Sequence, residues 1–247
     1  MSLPGIALEL IREVTGRISS PPGHGPRRAI SFGYPDILAS EDQIFDLFGN
    51  EVSKELRFRP DSQAILKWHS ATGLTDRIVE SRHFFSLLGY DLTIADIAPI
   101  RGDEVILDLN EPLDAALLAE PFDLVIDGGT AEHCFNIGQA LKNMADLVRV
   151  GGCVFHINPA SMFNHGFYNL NPTLYADFYD ENRFRITFLK AVTDIMFNPT
   201  LIEVPPYQRF ATLPSGAILM CVAQRAQQQA IRWPMQAKYR KNPSQTR

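Results

Sequence analysis

Short apolar segments that each end at an acidic residue, a glycine or a proline constrain the fold of this chain most strongly. In FDLVIDGG, residues 122–129, an apolar strand stops at Asp127 and is followed by two glycines. Strands of this kind are typical of a parallel sheet that is buried on both faces, so the chain is predicted to form an α/β fold with a mostly parallel sheet. The other segments of this type are RAISFGYPDIL (28–38), LGYDLTIADIAP (88–99), EVILDLNEP (104–112) and CVFHINP (153–159).

Helical patterns and a second kind of strand complete the prediction. GIALELIREV, residues 5–14, has the apolar spacing of an amphipathic helix. Residues 136–152 have the pattern of a helix that closes with a glycine pair as its C-cap. Residues 184–197 and 216–226 predict two strands that pair antiparallel at one side of the sheet. The end of the chain, 226–247, predicts a tail that is first helical and then solvated.

Composition and charge restrict the class of partner. A chain of 247 residues with 45% apolar content is long enough to form one large α/β domain. Its net charge of −5 predicts no nucleic-acid binding, because neutralising phosphates requires clustered lysine and arginine. A small molecule or a glycan is the expected partner, and the oligomeric state stays open.

The cysteines and the lengths of the apolar segments indicate the compartment. Cys134, Cys153 and Cys221 are an odd number and lie far apart inside apolar runs, which is typical of reduced core residues. This usage favours the cytoplasm. No apolar segment approaches the roughly 20 residues that span a bilayer, so no membrane span is expected. The first helix carries charges at helical spacing and is not interpreted as a signal sequence.

Acidic residues at successive strand ends carry a resemblance to a known family. Asp96, Asp108 and Asp127 each end a strand, and a helix, a glycine pair, a strand and a late strand pair follow. This order resembles the class I S-adenosylmethionine-dependent methyltransferases, most specifically over residues 90–160. The resemblance implies a Rossmann-like, doubly wound sheet and S-adenosylmethionine as the cofactor.

The same resemblance implies roles for individual residues. In the family, the acid after the second strand binds the ribose hydroxyls, which here implies Asp96. The residue after the third strand contacts the adenine, which implies Asp108 together with the backbone of Leu109. Asp127 and Gly128 are then expected at the floor of the pocket. The pair Glu132 and His133 resembles the Leu-Glu-His pattern that follows the family's fourth strand.

The first loop departs from the family pattern. Where the family has an acid and then G-x-G-x-G, this chain has SFGYPD, residues 31–36. Ser31 stands in the place of the acid, and Gly33 is the glycine that is kept. Proline removes a backbone donor and tyrosine adds bulk. We hypothesise that Asp36 replaces the lost acid by pairing with the amino group of the cofactor.

A long insertion separates Gly33 from Asp96. Dinucleotide-binding folds place the ribose acid about 20 residues after the glycine loop, so something is inserted here. The segment SEDQIFDLFG begins with a Ser40 cap and has helical apolar spacing. Residues 40–88 are therefore predicted to form a helical cap over the cofactor end of the sheet, within a single domain that spans 1–247.

The segment after the fifth strand supplies the predicted chemistry. NPASMFNHGFYNLNPTLYADFYDENRF, residues 158–184, is dense in asparagine, aromatic residues and histidine. It resembles segments of uncharacterised methyltransferase-like proteins, some linked to bacterial glycan synthesis. His165 is the predicted catalytic base, because an imidazole titrates near neutral pH. Asp127 is predicted to share the catalytic role, whereas His156 is interpreted as a satisfied core histidine.

Two functions stay open at this point. The first is a methyltransferase that acts on a hydroxyl of a small molecule or a glycan. The second is a scaffold that has lost the cofactor loop and binds a ligand or partner without chemistry. No His, Cys and Asp cluster has metal-ligand spacing along the chain, so no metal site is predicted. Glu132 and His133 are interpreted either as a capping and packing pair or as catalytic residues.

Overall fold

A large central sheet organises the computed structural model, which describes residues 2–18, 25–114, 116, 120–210 and 212–240. Within these ranges the sheet has eight strands in the order β5-β4-β2-β6-β7-β10-β8-β9, and β1 and β3 form a separate parallel pair. The strands are β1 (Ser2–Pro4), β2 (Arg27–Phe32), β3 (Asp36–Leu38), β4 (Tyr90–Asp96), β5 (Val105–Ile106), β6 (Phe122–Asp127), β7 (Val148–Pro159), β8 (Phe184–Thr193), β9 (Thr200–Glu203) and β10 (Ile218–Arg225).

Helices cover both faces of this sheet. On one face Leu8 and Ile11 of α1 share a buried core with Phe84 of α4, and on the other face Leu141 of α5 packs with Phe178 of α6. These four helices turn their apolar residues to the sheet, as amphipathic helices do. The helices are α1 (Gly5–Arg17), α2 (Glu41–Lys54), α3 (Ser62–Trp68), α4 (Ser81–Leu87), α5 (Ile137–Leu147), α6 (Pro172–Glu181) and α7 (Ala237–Arg240). In the part of the chain that is described, no helix combines the length and apolarity that a bilayer crossing needs.

The strand directions confirm the predicted fold class. Strands β2, β4, β5, β6 and β7 pair in parallel, and β10 is antiparallel to both of its neighbours, β7 and β8. In the sheet, β4 and β5 lie on one side of β2, whereas β6 and β7 lie on its other side. The strand order therefore reverses between β2 and β6. Open α/β sheets bind ligands in the crevice beyond the carboxyl ends of the strands at such a point.

Several local predictions are confirmed. α1 contains the predicted amphipathic segment, and α2 begins at the predicted cap. The Ser40 hydroxyl accepts a hydrogen bond from the backbone N–H of Gln43, and the Gln43 side chain accepts one from the N–H of Ser40. This reciprocal pairing satisfies two donors that the first helical turn leaves open. Cys134, Cys153 and Cys221 are buried and unpaired.

Two local predictions were wrong. The predicted glycine C-cap lies inside β7, because α5 ends at Leu147 and the strand continues through Gly151 and Gly152. A side chain at Gly152 would lie 2.7 Å from the carbonyl oxygen of Asp123, so the glycine permits close strand contact instead of ending a helix. The predicted tail helix is four residues long and begins only at Ala237. Residues 241–247 of that tail lie outside the described residues.

Candidate functional site

Two cavities meet at the carboxyl ends of the central strands. The first has a volume of about 280 Å³ and the second about 580 Å³. Gly129 and His133 line both cavities, so the two share a wall. The first cavity is bounded by the ends of β2, β4 and β5, and the second by the turn after β6, the loop after β7 and the end of α3. This is the crevice that the strand order predicts.

The first cavity contains four of the predicted cofactor residues, Gly33, Asp96, Asp108 and Leu109. Gly33 has φ 81°, a conformation that glycine adopts without strain, and its N–H donates to the carbonyl of Ala95. Oδ1 of Asp96 accepts a long hydrogen bond of 3.4 Å from the N–H of Ala98. The cavity therefore offers carboxylate acceptors at two strand ends, as recognition of ribose hydroxyls and an adenine amine requires.

The first loop is held by a group of charged side chains that comes from the insertion and from the loop after β4. The Asp36 carboxylate lies 3.0 Å from Nε2 of His69, 3.5 Å from Nη2 of Arg101 and 4.0 Å from Nη1 of Arg59. The guanidinium carbons of Arg101 and Arg59 lie 3.7 and 4.9 Å from the centroid of the Tyr34 ring. We name Tyr34, Asp36, Arg59, His69 and Arg101 the first-loop charge cluster. Asp36 lines neither cavity, so the structure does not support its predicted contact with the cofactor.

Glu80 anchors the other side of Tyr34. The Tyr34 hydroxyl donates a hydrogen bond of 2.6 Å to Oε1 of Glu80, and the backbone N–H groups of Arg82 and His83 donate to the same carboxylate at 3.1 and 2.7 Å. Burial acts to raise the pKa of Glu80, but these hydrogen bonds outweigh it and hold the pKa below its ordinary value. Glu80 thereby caps the start of α4 and ties it to the first loop.

A buried polar network lies beneath the turn that follows β6. Oδ1 of Asp127 accepts hydrogen bonds of 2.9 and 3.1 Å from the backbone N–H groups of Thr130 and Ala131. Oδ2 lies 2.7 Å from Nδ1 of His156 and accepts a bond of 2.9 Å from Nδ2 of Asn158. Burial acts to raise the pKa of Asp127, but the hydrogen bonds and the charge of His156 hold it below its ordinary value. These bonds tie the turn to β7, which carries His156 and Asn158.

Asp127 itself does not reach either cavity. Its side chain is completely buried, and all of the contacts above are internal. His156 is also fully buried, and its Nε2 bonds to the hydroxyl of Tyr179, which confirms its interpretation as a satisfied core histidine. The geometry therefore supports a positioning role for Asp127 and not the predicted catalytic contact. Gly128, beside it, does line the second cavity.

Glu132 connects this network to the second cavity. Its Oε2 accepts a hydrogen bond of 2.9 Å from Nδ2 of Asn158, which also bonds to Asp127. Its Oε1 is buried and has no hydrogen-bond partner among the described residues. Burial, and then the negative charge of Asp127, raise the pKa of Glu132 to about 7. The structure thus places a buried carboxyl group at the cavity wall with one oxygen free to bind.

Two imidazoles face this carboxyl group from the cavity side. Nε2 of His165 lies 3.5 Å from Oε1 of Glu132, and Nε2 of His133 lies 3.9 Å from the same oxygen. Their side chains are 42% and 49% exposed, so both can meet a ligand. Burial, and then the charge of His165, lower the pKa of His133. We name Glu132, His133 and His165 the acid–histidine cluster.

The acid–histidine cluster forms because the segment that follows β6, residues 132–135, lies beside the segment that follows β7, residues 165–168. The N–H of Phe167 donates to the carbonyl of Glu132 at 2.8 Å, and the rings of Phe167 and Phe135 pack edge to face with centroids 5.5 Å apart. The hydroxyl of Tyr168 donates to the carbonyl of Phe135 at 2.8 Å. Both segments stand out in the sequence, but their contact does not, because no local pattern reports a contact between residues more than 30 positions apart.

The observed sheet has the mostly parallel order and the antiparallel strand pair that the resemblance in sequence implied. The strand order is that of a doubly wound, Rossmann-like sheet, with an antiparallel strand between β7 and β8. No protein-family profile matches the chain, and no curated protein matches it either.

The chain is similar to several solved structures, of which three are described. TehB from Haemophilus influenzae is 14% identical, with 75% of this chain and 66% of TehB covered and a TM-score of 0.40. The 1,6-didemethyltoxoflavin-N1-methyltransferase of Burkholderia thailandensis, solved with S-adenosylhomocysteine, is 15% identical over 88% of this chain and 78% of that one, with a TM-score of 0.40. The DszA carbon methyltransferase is 10% identical over 91% and 54%, with a TM-score of 0.46. At these identities the similarity concerns the fold alone.

Proposed function

We propose that the protein is an S-adenosylmethionine-dependent methyltransferase that methylates a hydroxyl group of a small molecule or a glycan. The observation that carries the proposal is the shared wall between the two cavities, at Gly129 and His133. On one side lie strand-end carboxylates suited to a nucleoside, and on the other lies the acid–histidine cluster. A donor in the first cavity and an acceptor in the second would meet at this wall, and methyl transfer depends on such proximity.

The first cavity would hold the cofactor. In the proposed arrangement Asp96 accepts hydrogen bonds from the ribose hydroxyls, and Asp108 with the backbone of Leu109 contacts the adenine. Gly33 and Gly129 bring backbone without a side chain to the cavity, which leaves room for the ligand. We leave Asp36 out of the proposed site, because its oxygens already pair with His69 and Arg101.

The second cavity would hold the acceptor. In the reaction a hydroxyl oxygen forms a bond to the methyl carbon while the bond from that carbon to the sulfonium sulfur breaks, which leaves S-adenosylhomocysteine and the methyl ether. The hydroxyl proton must leave as well, and His165 is the proposed base because its imidazole faces this cavity. Asp127 acts through Asn158, which holds the carboxyl group of Glu132, and is a positioning residue.

Exposed aromatic side chains at this cavity support a glycan or another flat acceptor. Trp68 lines the cavity and is 83% exposed. Phe163, which follows the cavity residue Met162, is 90% exposed. Aromatic side chains of this size are usually buried in a core. Where they are exposed beside a cavity, their rings can stack on the apolar faces of sugars.

Calorimetric titration with S-adenosylmethionine and S-adenosylhomocysteine tests the proposal. We expect binding in the micromolar range and a loss of roughly 10- to 150-fold in Asp96→Ala, since a hydrogen bond to a charged group contributes about 1.5–3 kcal/mol. Asp91→Ala is the matched control, because Asp91 is an exposed acid at the other end of β4. Unchanged binding in Asp96→Ala would refute the site assignment.

The scaffold without chemistry is the second candidate function. It is favoured by the first loop, in which Tyr34 and Asp36 are engaged by Arg59, His69 and Arg101 and not left available to a cofactor. If neither S-adenosylmethionine nor S-adenosylhomocysteine gives a heat of binding at millimolar concentration, the scaffold is supported and the methyltransferase is refuted.

A further inference from the structure

The acid–histidine cluster has the composition and spacing of a metal site. It offers one carboxylate oxygen and two imidazole nitrogens, and the three ligand atoms lie within 4.8 Å of one another. Two ligands that bind one cation at about 2.1 Å in tetrahedral geometry lie about 3.4 Å apart. The observed distances from Oε1 of Glu132, 3.5 Å to His165 and 3.9 Å to His133, are close to this value.

The buried oxygen of Glu132 independently indicates a missing positive partner. The Glu132 side chain is 1% exposed, yet its Oε1 has no hydrogen-bond partner among the described residues. Buried polar atoms are nearly always paired, because burying one without a partner costs free energy. Oε1 points to the two imidazole nitrogens and not into the core, so a cation between the three atoms would satisfy it.

The surrounding residues hold the three ligands in place. Asn158 donates to the second oxygen of Glu132 at 2.9 Å, which fixes the orientation of the carboxyl group as second-sphere hydrogen bonds do in metalloproteins. Glycines permit the close approach on both sides of Glu132. A side chain at Gly129 would lie 3.3 Å from Oε1, and one at Gly166 would lie 2.8 Å from the carbonyl oxygen of Glu132.

We propose that Glu132, His133 and His165 together bind a divalent transition-metal cation such as Zn²⁺, Mn²⁺ or Fe²⁺. Two imidazoles and one carboxylate suit this class, whereas Mg²⁺ and Ca²⁺ prefer oxygen ligands throughout. Both imidazoles are partly exposed to the second cavity, so the cation would keep positions open to an acceptor on that side.

The role of the cation in activating the acceptor hydroxyl rests on the proposed function. A hydroxyl that coordinates the cation loses its proton more readily, because the positive charge stabilises the oxyanion. His165 is then a ligand, and the proton goes to solvent instead of to its imidazole. The methyl group still passes from sulfur to this oxygen, so the cation takes over the activation that we assigned to His165 as a base.

Titration of tag-free, chelator-treated protein with ZnCl₂, without any S-adenosylmethionine, tests the site directly. We expect one equivalent of zinc, and a cobalt(II) complex whose visible absorption reports nitrogen and oxygen ligands. Glu132→Gln, His133→Ala and His165→Ala should each weaken zinc binding at least about tenfold. MgCl₂ should give no comparable heat.

His83→Ala is the control, since His83 lies in α4 and bonds to the carbonyl of Glu55. It should bind zinc as the unmodified protein does. Absence of zinc binding, or binding that none of the three cluster variants weakens, would overturn the inference. The two histidine variants lie at exposed positions, so they keep the test decisive if Glu132→Gln does not fold.

The results also separate this inference from the proposed function. Zinc bound at the cluster by a protein that binds no S-adenosylmethionine would support the metal site and refute the methyltransferase. S-adenosylmethionine bound at Asp96 by a protein that binds no zinc would support the methyltransferase and refute the metal site.

Discussion

The turn after β2 and the turn after β6 both lie at the point where the strand order reverses, but they are stabilised differently. The first is held by the first-loop charge cluster, whose Asp36, His69 and Arg101 side chains are 11%, 12% and 28% exposed. The second is held by a network in which Asp127 and His156 have no exposed surface. Asp36 is therefore paired with partly solvated partners, whereas the buried network ends at Oε1 of Glu132, which has no hydrogen-bond partner among the described residues.

The two turns differ in how they present an acid to a ligand. Side chains from distant segments, His69 and Arg101, already pair with the acid of the first turn. Hydrogen bonds from within the core fix the second turn and leave Glu132 facing the cavity. A rigid support with one unused acceptor is the arrangement that preorganised sites require.

Asp127→Asn should have the largest effect on stability. The asparagine amide would present an N–H₂ group where Oδ2 now accepts from Nδ2 of Asn158, and a buried donor that loses a charged acceptor costs about 3 kcal/mol. The matched change Asp36→Asn in the first-loop charge cluster should cost only about 1–2 kcal/mol, because those partners remain partly hydrated. The free energy of unfolding in urea measures both. Equal losses would show that burial does not distinguish the two turns.

Gly166→Ala should have an intermediate effect. The added carbon would lie 2.8 Å from the carbonyl oxygen and 2.9 Å from Cγ of Glu132, so the loop that carries His165 must move. We expect a loss of about 1–3 kcal/mol in the free energy of unfolding, together with weaker zinc binding.

Gly138→Ala is the control for this change. Its added carbon would have ordinary contacts, the nearest at 3.6 Å from the ring of Trp233. We expect a change of less than about 1 kcal/mol and normal zinc binding. If Gly166→Ala behaves like this control, the loop does not depend on close packing against Glu132.

Glu80→Gln should have the smallest effect and should depend on pH. Because the pKa of Glu80 is lowered in the folded protein, its ionised form stabilises the fold above the unfolded-state pKa. This contribution is lost as the pH falls through the folded-state value. The variant should therefore be about 1 kcal/mol less stable at neutral pH, and this difference should be smaller at acidic pH, below the unfolded-state pKa.

Urea unfolding at both pH values checks this expectation, with Glu51→Gln as the control. Glu51 is an exposed residue of α2, and its substitution should change the free energy of unfolding by less than about 0.5 kcal/mol at either pH. A difference for Glu80→Gln that does not vary with pH would show that its hydrogen bonds do not depend on the charge.

Local patterns predicted much of the fold and part of the site. Asp96 and Asp108 lie at strand ends beside one cavity, where the order of apolar segments placed them. The Ser40 cap also followed from residues three positions apart. The glycine C-cap failed because Gly152 serves a contact with Asp123, which belongs to another strand. A pattern of neighbours does not contain that contact.

The sequence by itself determined the α/β class and the strand ends, because strand burial and helix capping depend on neighbours a few positions apart. The tertiary structure alone decided that Asp36 pairs with His69 and Arg101, that Asp127 is buried, and that Glu132, His133 and His165 converge. Those pairings depend on where distant segments return to the sheet. Whether an acid is saturated or left with a free oxygen is therefore a property of the folded chain.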